Sequence, residues 1–158
     1  MTTPLPVALR RTLSLVLLVG LPFASACRVS VRTGAEPQFI HPDGPPANPF
    51  SPAVRVGNLI FVSGTLGTRT DGTLVPGGIQ PETRQLLENI KRTLAAADVG
   101  MDRVVKCTVF LADLGEWPAM NEVYRSYFSN GKYPARAAVQ ATLLFGARVE
   151  MECAAAAK

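Results

Sequence analysis

The segment at residues 80–99 constrains the fold most, because its pattern predicts an amphipathic helix. Pro81 stands at a first-turn position with Glu82 beside it, which suits the positive end of a helix dipole. Gly100 follows the last apolar residue and ends the helix. Its apolar residues recur at helical spacing and form one face, which consists of Leu86, Leu87, Ile90, Leu94 and Ala97. A helix with a single apolar face needs a second layer, so we expect it to pack on a sheet.

Other patterns along the chain predict the strands of that sheet and a second helix. Apolar runs at residues 54–56 and 59–62 flank a Gly-Asn turn dipeptide and predict a β-hairpin. Residues 104–111 predict a buried strand, whose inward face we expect to contain Val105, Cys107, Val109 and Leu111. Residues 116–128 predict a helix with an aromatic stripe, which is typical of a core-facing side.

The C-terminal residues 134–152 are where we expect the chemistry. Two strand-like runs with a short connection predict another hairpin, which would bring Arg136 close to Glu150. A guanidinium binds a carboxylate through two hydrogen bonds, and a glutamate can move protons. The two residues therefore suggest a site for a small molecule that bears a carboxylate. The competing interpretation is a solvated cross-strand ion pair, the commoner arrangement of such residues on paired strands.

The order of elements, ββ-α-β-α-ββ, predicts an α+β fold with one sheet and both helices on one face. The sequence contains no further layer to cover the other face. Another subunit is the simplest cover, so we expect a closed oligomer.

Length and composition favour one globular domain. The chain has 158 residues, of which 18% are charged and 47% hydrophobic, a balance that excludes a disordered chain. The formal net charge is +4, but the positive residues are scattered and no basic run of five occurs. We therefore expect no nucleic acid partner.

The N-terminus predicts export. Residues 1–26 combine Arg10 and Arg11 with a short apolar core and a small-residue cleavage site, as a signal peptide does. The apolar run is too short to span a bilayer as a helix. Two outcomes are open: cleavage that leaves a soluble periplasmic protein, or lipidation of Cys27 that anchors it to a membrane of the cell envelope. Residues 27–47 predict a Pro-rich linker or arm, and residues 48–158 the domain.

The cysteines and the single histidine predict no metal site. Three cysteines define no disulfide framework by spacing alone. Cys107 and Cys153 lie in apolar strand patterns, so we expect buried free thiols, with a bridge between them as the alternative. His41 lies in a Pro-rich loop, where a packing role is favoured over catalysis, and without a Cys/His cluster no zinc site is expected.

A series of short motifs resembles the Rid family, also called the YjgF/YER057c/UK114 family. The resemblance extends from about residue 48 to residue 155. It rests on Ser51-Pro52-Ala53-Val54, Phe61-Val62-Ser63-Gly64, Thr83-Arg84-Gln85, Asn89, Val105-Lys106-Cys107-Thr108-Val109-Phe110-Leu111, Met120-Asn121-Glu122-Val123-Tyr124, Pro134-Ala135-Arg136 and Val149-Glu150-Met151-Glu152.

This resemblance implies a chorismate-mutase-like fold and a homotrimer with a cleft at each subunit interface. It also implies hydrolysis of 2-imino acids to 2-keto acids and ammonia, without metal or cofactor. Arg136 matches the arginine that holds the substrate carboxylate, and Glu150 the glutamate that orients or activates water. Gly64 and Asn121 match positions in or near the cleft. The partner would be a small imino or keto acid.

The chain departs from the family pattern at several positions of the expected cleft. Phe50 replaces a tyrosine, Ala138 replaces a cysteine two residues beyond the arginine, and Thr65 replaces a glutamine. The last connection has Leu144-Phe145-Gly146 where many members have Leu-Pro-Lys. The alternative function is a non-catalytic trimeric binding protein for small carboxylate metabolites. Ribonuclease activity is disfavoured, because no basic stripe and no suitably placed histidine occur.

Overall fold

In the computed structural model, which describes residues 34–45, 48–128 and 131–157, a six-stranded sheet packs against two helices. The chain order is β1 (Gln38–Ile40), β2 (Ala53–Val56), β3 (Leu59–Leu66), α1 (Ile79–Ala95), β4 (Val104–Leu111), α2 (Trp117–Ser126), β5 (Ala135–Gln140) and β6 (Val149–Ala156). The strand order across the sheet is β1-β2-β3-β6-β4-β5. The predicted α+β fold with one mixed sheet and two helices is confirmed.

The core lies between the two helices and one face of the sheet. The predicted apolar face of α1 is buried, and α2 adds Met120, Val123 and Tyr124 to the same cluster. Alternate residues of β6 complete it from the sheet, namely Val149, Met151, Cys153 and Ala155. Burial of each large apolar side chain contributes about 1.5–3 kcal/mol, so the helix–sheet contact dominates the stability of the fold.

A buried carboxylate connects α1 to the beginning of β6. Glu82 Oε1 accepts hydrogen bonds from the backbone N–H of Arg148 (2.7 Å) and of Val149 (3.2 Å). A buried carboxylate is costly unless it is hydrogen-bonded, and these two donors offset that cost. Any side chain at Gly67 would overlap Glu82, so glycine is needed for this approach. The contact fixes the chain directly before Glu150.

The prediction of a C-terminal hairpin is wrong. β5 pairs with β4 in parallel, whereas β6 lies between β3 and β4 and is antiparallel to both. A central strand is covered by neighbours on both sides, and β6 has the uninterrupted set of inward apolar residues that suits this place. β5 carries Arg136 among small residues, has little apolar surface to bury, and takes the edge of the sheet.

The expectation of free thiols is also wrong, because Cys107 and Cys153 form a disulfide. They are direct cross-strand partners on β4 and β6, and both are buried on the side of the helices. Val105, expected on the same inward face, is instead 47% exposed. The register between β4 and β6 shifts between Val104 and Lys106, which turns Val105 outward.

The predicted arm contributes the first strand of the sheet, because β1 pairs with β2. The predicted signal and Cys27 lie outside the described residues. Among the residues that the structure describes, no helix has both the length and the apolar character needed to cross a bilayer.

Candidate functional site

Arg136 is held by aromatic rings on the side of the sheet that faces the helices. Its Cζ atom lies 4.4 Å from the centroid of the Tyr124 ring and 5.4 Å from that of Trp117, both on α2. Such cation–π contacts contribute about 1 kcal/mol and leave the charge uncompensated. The Nη1 atom is buried and has no hydrogen-bond partner in the described part of the chain. A guanidinium fixed in this way retains hydrogen-bonding capacity for an anion.

A cavity of about 410 Å³ opens beside this guanidinium. Its lining consists of Asn121, Tyr124, Arg125, Tyr133, Pro134 and Arg136. This volume is in the range of small-molecule sites. Among the described residues, the lining contains two guanidinium groups and no carboxylate, so the cavity is suited to an anion.

The Tyr124 hydroxyl is a second buried polar group at this cavity without a hydrogen-bond partner among the described residues. Burial raises the pKa of Tyr124, and the positive charge of Arg136 opposes this shift. The hydroxyl therefore stays neutral at ordinary pH and remains a hydrogen-bond donor.

Glu150 lies on the opposite face of the sheet. Its neighbours Val149 and Met151 are both buried against the helices, and side chains alternate along a strand. The Glu150 carboxylate occupies the space next to Gly64 on β3, where any side chain would overlap it. Gly64 thus gives Glu150 room on the outer face.

The structure therefore divides the predicted site residues into two sets. Arg136, Asn121 and Ala138 lie on the helix face, where Ala138 packs against the core. Glu150 and Gly64 lie on the outer face. The expectation that one chain brings Arg136 and Glu150 together is wrong, because β4 separates their strands and their side chains point to opposite faces.

Phe50 lies near the residues of the outer face, Glu150 and Gly64. It precedes Ser51, whose carbonyl oxygen accepts a hydrogen bond from Ser63 Oγ at 2.7 Å. This contact places the Phe50 segment beside the Ser63-Gly64 part of β3, and the Phe50 side chain is 54% exposed. Its ring is therefore available to a ligand or to another subunit.

The sequence patterns did not single out Arg125 or Tyr133 as site residues, and they assigned Tyr124 to the core alone. Asn121, Tyr124 and Arg125 stand three and four residues apart on α2, so they share one helical face. This spacing indicates that Tyr124 and Arg125 lie beside Asn121. Tyr133 is indicated by its position directly before the Pro-Ala-Arg motif.

His41 contacts the same loop region, with Nε2 3.4 Å from Ser51 Oγ. Within residues 34–45, 48–128 and 131–157, no group of three or more His, Cys, Asp or Glu side chains is arranged to hold a metal ion.

Comparison with known sequences identifies similar proteins. Residues 42–157 match the profile of the endoribonuclease L-PSP family. The goat protein named 2-iminobutanoate/2-iminopropanoate deaminase is 48% identical over 109 residues, which cover 68% of this chain and 79% of that protein.

Comparison with solved structures finds chains of the same fold. The crystal structure of yeast YEO7 has a TM-score of 0.73 and 38% identity, and the match covers 78% of this chain and 100% of that one. Escherichia coli TdcF, solved with bound serine, has a TM-score of 0.70 and 31% identity, with 77% and 99% covered.

Proposed function

Because the chain belongs to the endoribonuclease L-PSP family, also known as the Rid or YjgF family, we propose that it hydrolyses 2-imino acids to 2-keto acids and ammonia. Relatives at 46–48% identity are named 2-iminobutanoate/2-iminopropanoate deaminases. The observation that carries the proposal is Arg136, a ring-held guanidinium with a buried, unpartnered nitrogen at an anion-suited cavity.

In this proposal Arg136 binds the substrate carboxylate through charge-assisted hydrogen bonds. Glu150 orients a water molecule toward the imine carbon and accepts one of its protons. A carbon–oxygen bond forms and the proton passes to nitrogen, which gives a carbinolamine. Its hydroxyl proton then moves to nitrogen by way of Glu150, the carbon–nitrogen bond breaks, and ammonia leaves the 2-keto acid. The imine carbon is already electrophilic, so positioning and one proton-transfer group supply the main acceleration, of which the proton transfer accounts for about 10²–10⁴-fold.

The two residues can act on one substrate only if they come from different chains. A second copy would have to bring its outer face, with Glu150 and Gly64, to the Arg136 cavity of the first. In a cyclic homotrimer every chain presents both faces, so each interface gains one complete site. The TdcF relative with bound serine supports a site for small amino-acid-like carboxylates in this fold.

Mixed trimers test this arrangement. Arg136→Ala and Glu150→Gln chains with different tags would be produced together, and trimers that contain both would be isolated. An amino-acid oxidase would generate 2-iminopropanoate in situ, and semicarbazide would trap the imine that survives. Each variant alone should be inactive. In each isolated mixed trimer, one interface of the three combines an intact Arg136 with an intact Glu150, so about a third of wild-type activity should return.

Glu152→Gln is the matched control, because Glu152 lies on the same face of β6 two residues further along. It should retain most of the activity. Mixed trimers without any recovery would refute the interfacial site. Failure of the wild-type protein to lower semicarbazone formation with any imino acid would refute the deaminase and favour the carboxylate-binding protein.

We also infer that the protein acts outside the cytoplasm. The signal-like residues 1–26 support this localisation, and so does the Cys107–Cys153 disulfide, since disulfides persist mainly in oxidising compartments. Fractionation of producing cells should find the protein in the periplasm or envelope. If Cys27 is lipidated, Cys27→Ser should shift it from the membrane to the soluble fraction. Recovery of an uncleaved chain in the cytoplasm would contradict export.

A further inference from the structure

We propose that the cavity beside Arg136 contains a second anion subsite formed by Arg125, so that the preferred substrates are 2-imino dicarboxylates, the imines of aspartate and glutamate. This inference rests on the proposed deaminase function and specifies its substrate class. One carboxylate would bind Arg136, and the distal carboxylate would bind Arg125.

Arg125 and Arg136 approach the cavity from two different elements. Arg125 follows Tyr124 on α2, whereas Arg136 lies on β5, and both line the same space. Neither forms a salt bridge with an acidic residue in the described ranges. By contrast, Arg92 pairs with Asp43 and Arg148 pairs with Glu116. Both cavity arginines are therefore available to an anion.

The remaining polar lining favours a ligand rich in hydrogen-bond acceptors. Asn121 supplies an amide, and Tyr124 and Tyr133 supply hydroxyl groups. The Tyr124 hydroxyl is buried without a partner among the described residues, and a carboxylate oxygen would satisfy it. The lining residues that the structure describes on this chain include no carboxylate, and the Glu150 that a second copy would bring has to face the imine carbon, so two arginines remain for the two carboxylates of the ligand.

The size of the cavity points the same way. On one chain, before a second copy closes it, the cavity measures about 410 Å³ and leaves space beyond 2-iminopropanoate, whose only side-chain group is a methyl. A longer chain that ends in a carboxylate would use this space and would gain a charge-assisted hydrogen bond from the second guanidinium.

Arg125 also lies in the last turn of α2, where a positive charge stabilises a helix whatever the ligand. The experiment therefore compares substrates within each variant. We would measure kcat/KM for 2-iminosuccinate, 2-iminoglutarate and 2-iminopropanoate, generated by oxidases, with wild type, Arg125→Ala and Arg125→Lys. Lys91→Ala is the control, because it removes a positive charge from an exposed position on α1.

Wild type should prefer the dicarboxylates. Arg125→Ala should lower kcat/KM for them about tenfold, as expected for one charge-assisted hydrogen bond, and change kcat/KM for 2-iminopropanoate less than about twofold. Arg125→Lys should be intermediate, and Lys91→Ala should resemble wild type. An equal loss for all substrates, or no preference in wild type, would overturn the subsite.

Ligand binding separates this inference from the proposed reaction. Calorimetry with Glu150→Gln protein would compare 2-oxoglutarate with 2-oxobutanoate, with and without Arg125→Ala. Arg125-dependent binding of 2-oxoglutarate, together with a wild-type protein that hydrolyses no imine, would support the subsite and refute the deaminase. Turnover of 2-iminopropanoate without Arg125-dependent binding would support the deaminase and refute the subsite.

Discussion

At the scale of single residues, the contact between Gly64 and Glu150 controls where the proposed catalytic carboxylate lies. A methyl group at position 64 would overlap the Glu150 carboxylate, so Gly64→Ala should displace it. A displacement of about 1 Å can cost on the order of 100-fold in rate, and we expect kcat/KM to fall 10- to 100-fold. The urea midpoint should change little, because Gly64 is exposed and only a side-chain end has to move.

Gly34→Ala provides the comparison for this prediction, since a methyl group at position 34 meets no atom within 4 Å. It should leave both activity and stability unchanged. Wild-type turnover in Gly64→Ala would show that the position of the Glu150 carboxylate does not limit the reaction.

At the scale of elements, the Cys107–Cys153 disulfide connects the two central strands β4 and β6. The cysteines are 46 residues apart in the sequence, and closing a loop of that length in the unfolded chain stabilises the native state by up to about 4 kcal/mol. Cys107→Ala/Cys153→Ala should therefore lower the free energy of unfolding by about 3–4 kcal/mol. Urea unfolding of the oxidised and the double-variant protein measures this difference.

Reduced wild-type protein controls for the cavities that the double variant creates. It should show most of the same loss, because reduction removes the cross-link but keeps both sulfur atoms in the core. Equal stability of oxidised and reduced protein would contradict a stabilising bridge.

The elements themselves were predictable where the information is local. Apolar spacing identified α1 and α2, and the Gly57-Asn58 turn identified the β2–β3 hairpin, which the structure confirms. The partner of β6 is not a local property, because it depends on which strand best fills the centre of the sheet. The order strand, helix, strand from β4 to β5 is nevertheless typical of a parallel crossover, and it favours the observed parallel pairing of these two strands.

The motifs proposed a set of candidate residues, Arg136, Glu150, Gly64 and Asn121, and their roles stay a prediction. Whether two side chains meet depends on strand order and on the face of the sheet, which short motifs do not determine. The contact of the Trp117 and Tyr124 rings with Arg136 could not be predicted for another reason. Both residues belong to an aromatic stripe on α2, and the spacing of that stripe is equally typical of a helix face that packs in the core.

At the scale of the whole molecule, the outer face of the sheet carries exposed apolar side chains and has no covering layer in the described chain. Phe61 on β3 is 50% exposed and Val139 on β5 is 44% exposed. We expect this face to lie in the trimer interface, where burial of a phenylalanine contributes up to about 3 kcal/mol per copy. Phe61→Asp should therefore yield a monomer by light scattering, with an unchanged circular dichroism spectrum and without deaminase activity.

Leu114→Asp controls for the replacement of an exposed apolar side chain, because Leu114 is 45% exposed in the connection between β4 and α2, outside the sheet. It should remain trimeric and active. A Phe61→Asp protein that keeps the trimer mass would place the subunit interface elsewhere.

The placement of Arg136 and Glu150 on opposite faces has a genetic consequence. In a cell that makes wild-type and Glu150→Gln chains in equal amounts, about half of the interfaces would still receive a glutamate. A chain altered at both positions would instead inactivate the site on each of its sides, and about a quarter would survive. Total activity would therefore fall in proportion to the fraction of wild-type chains when one position is altered. It would fall with the square of that fraction when both positions are altered. The doubly altered chain would thus reduce activity more strongly in the presence of wild type.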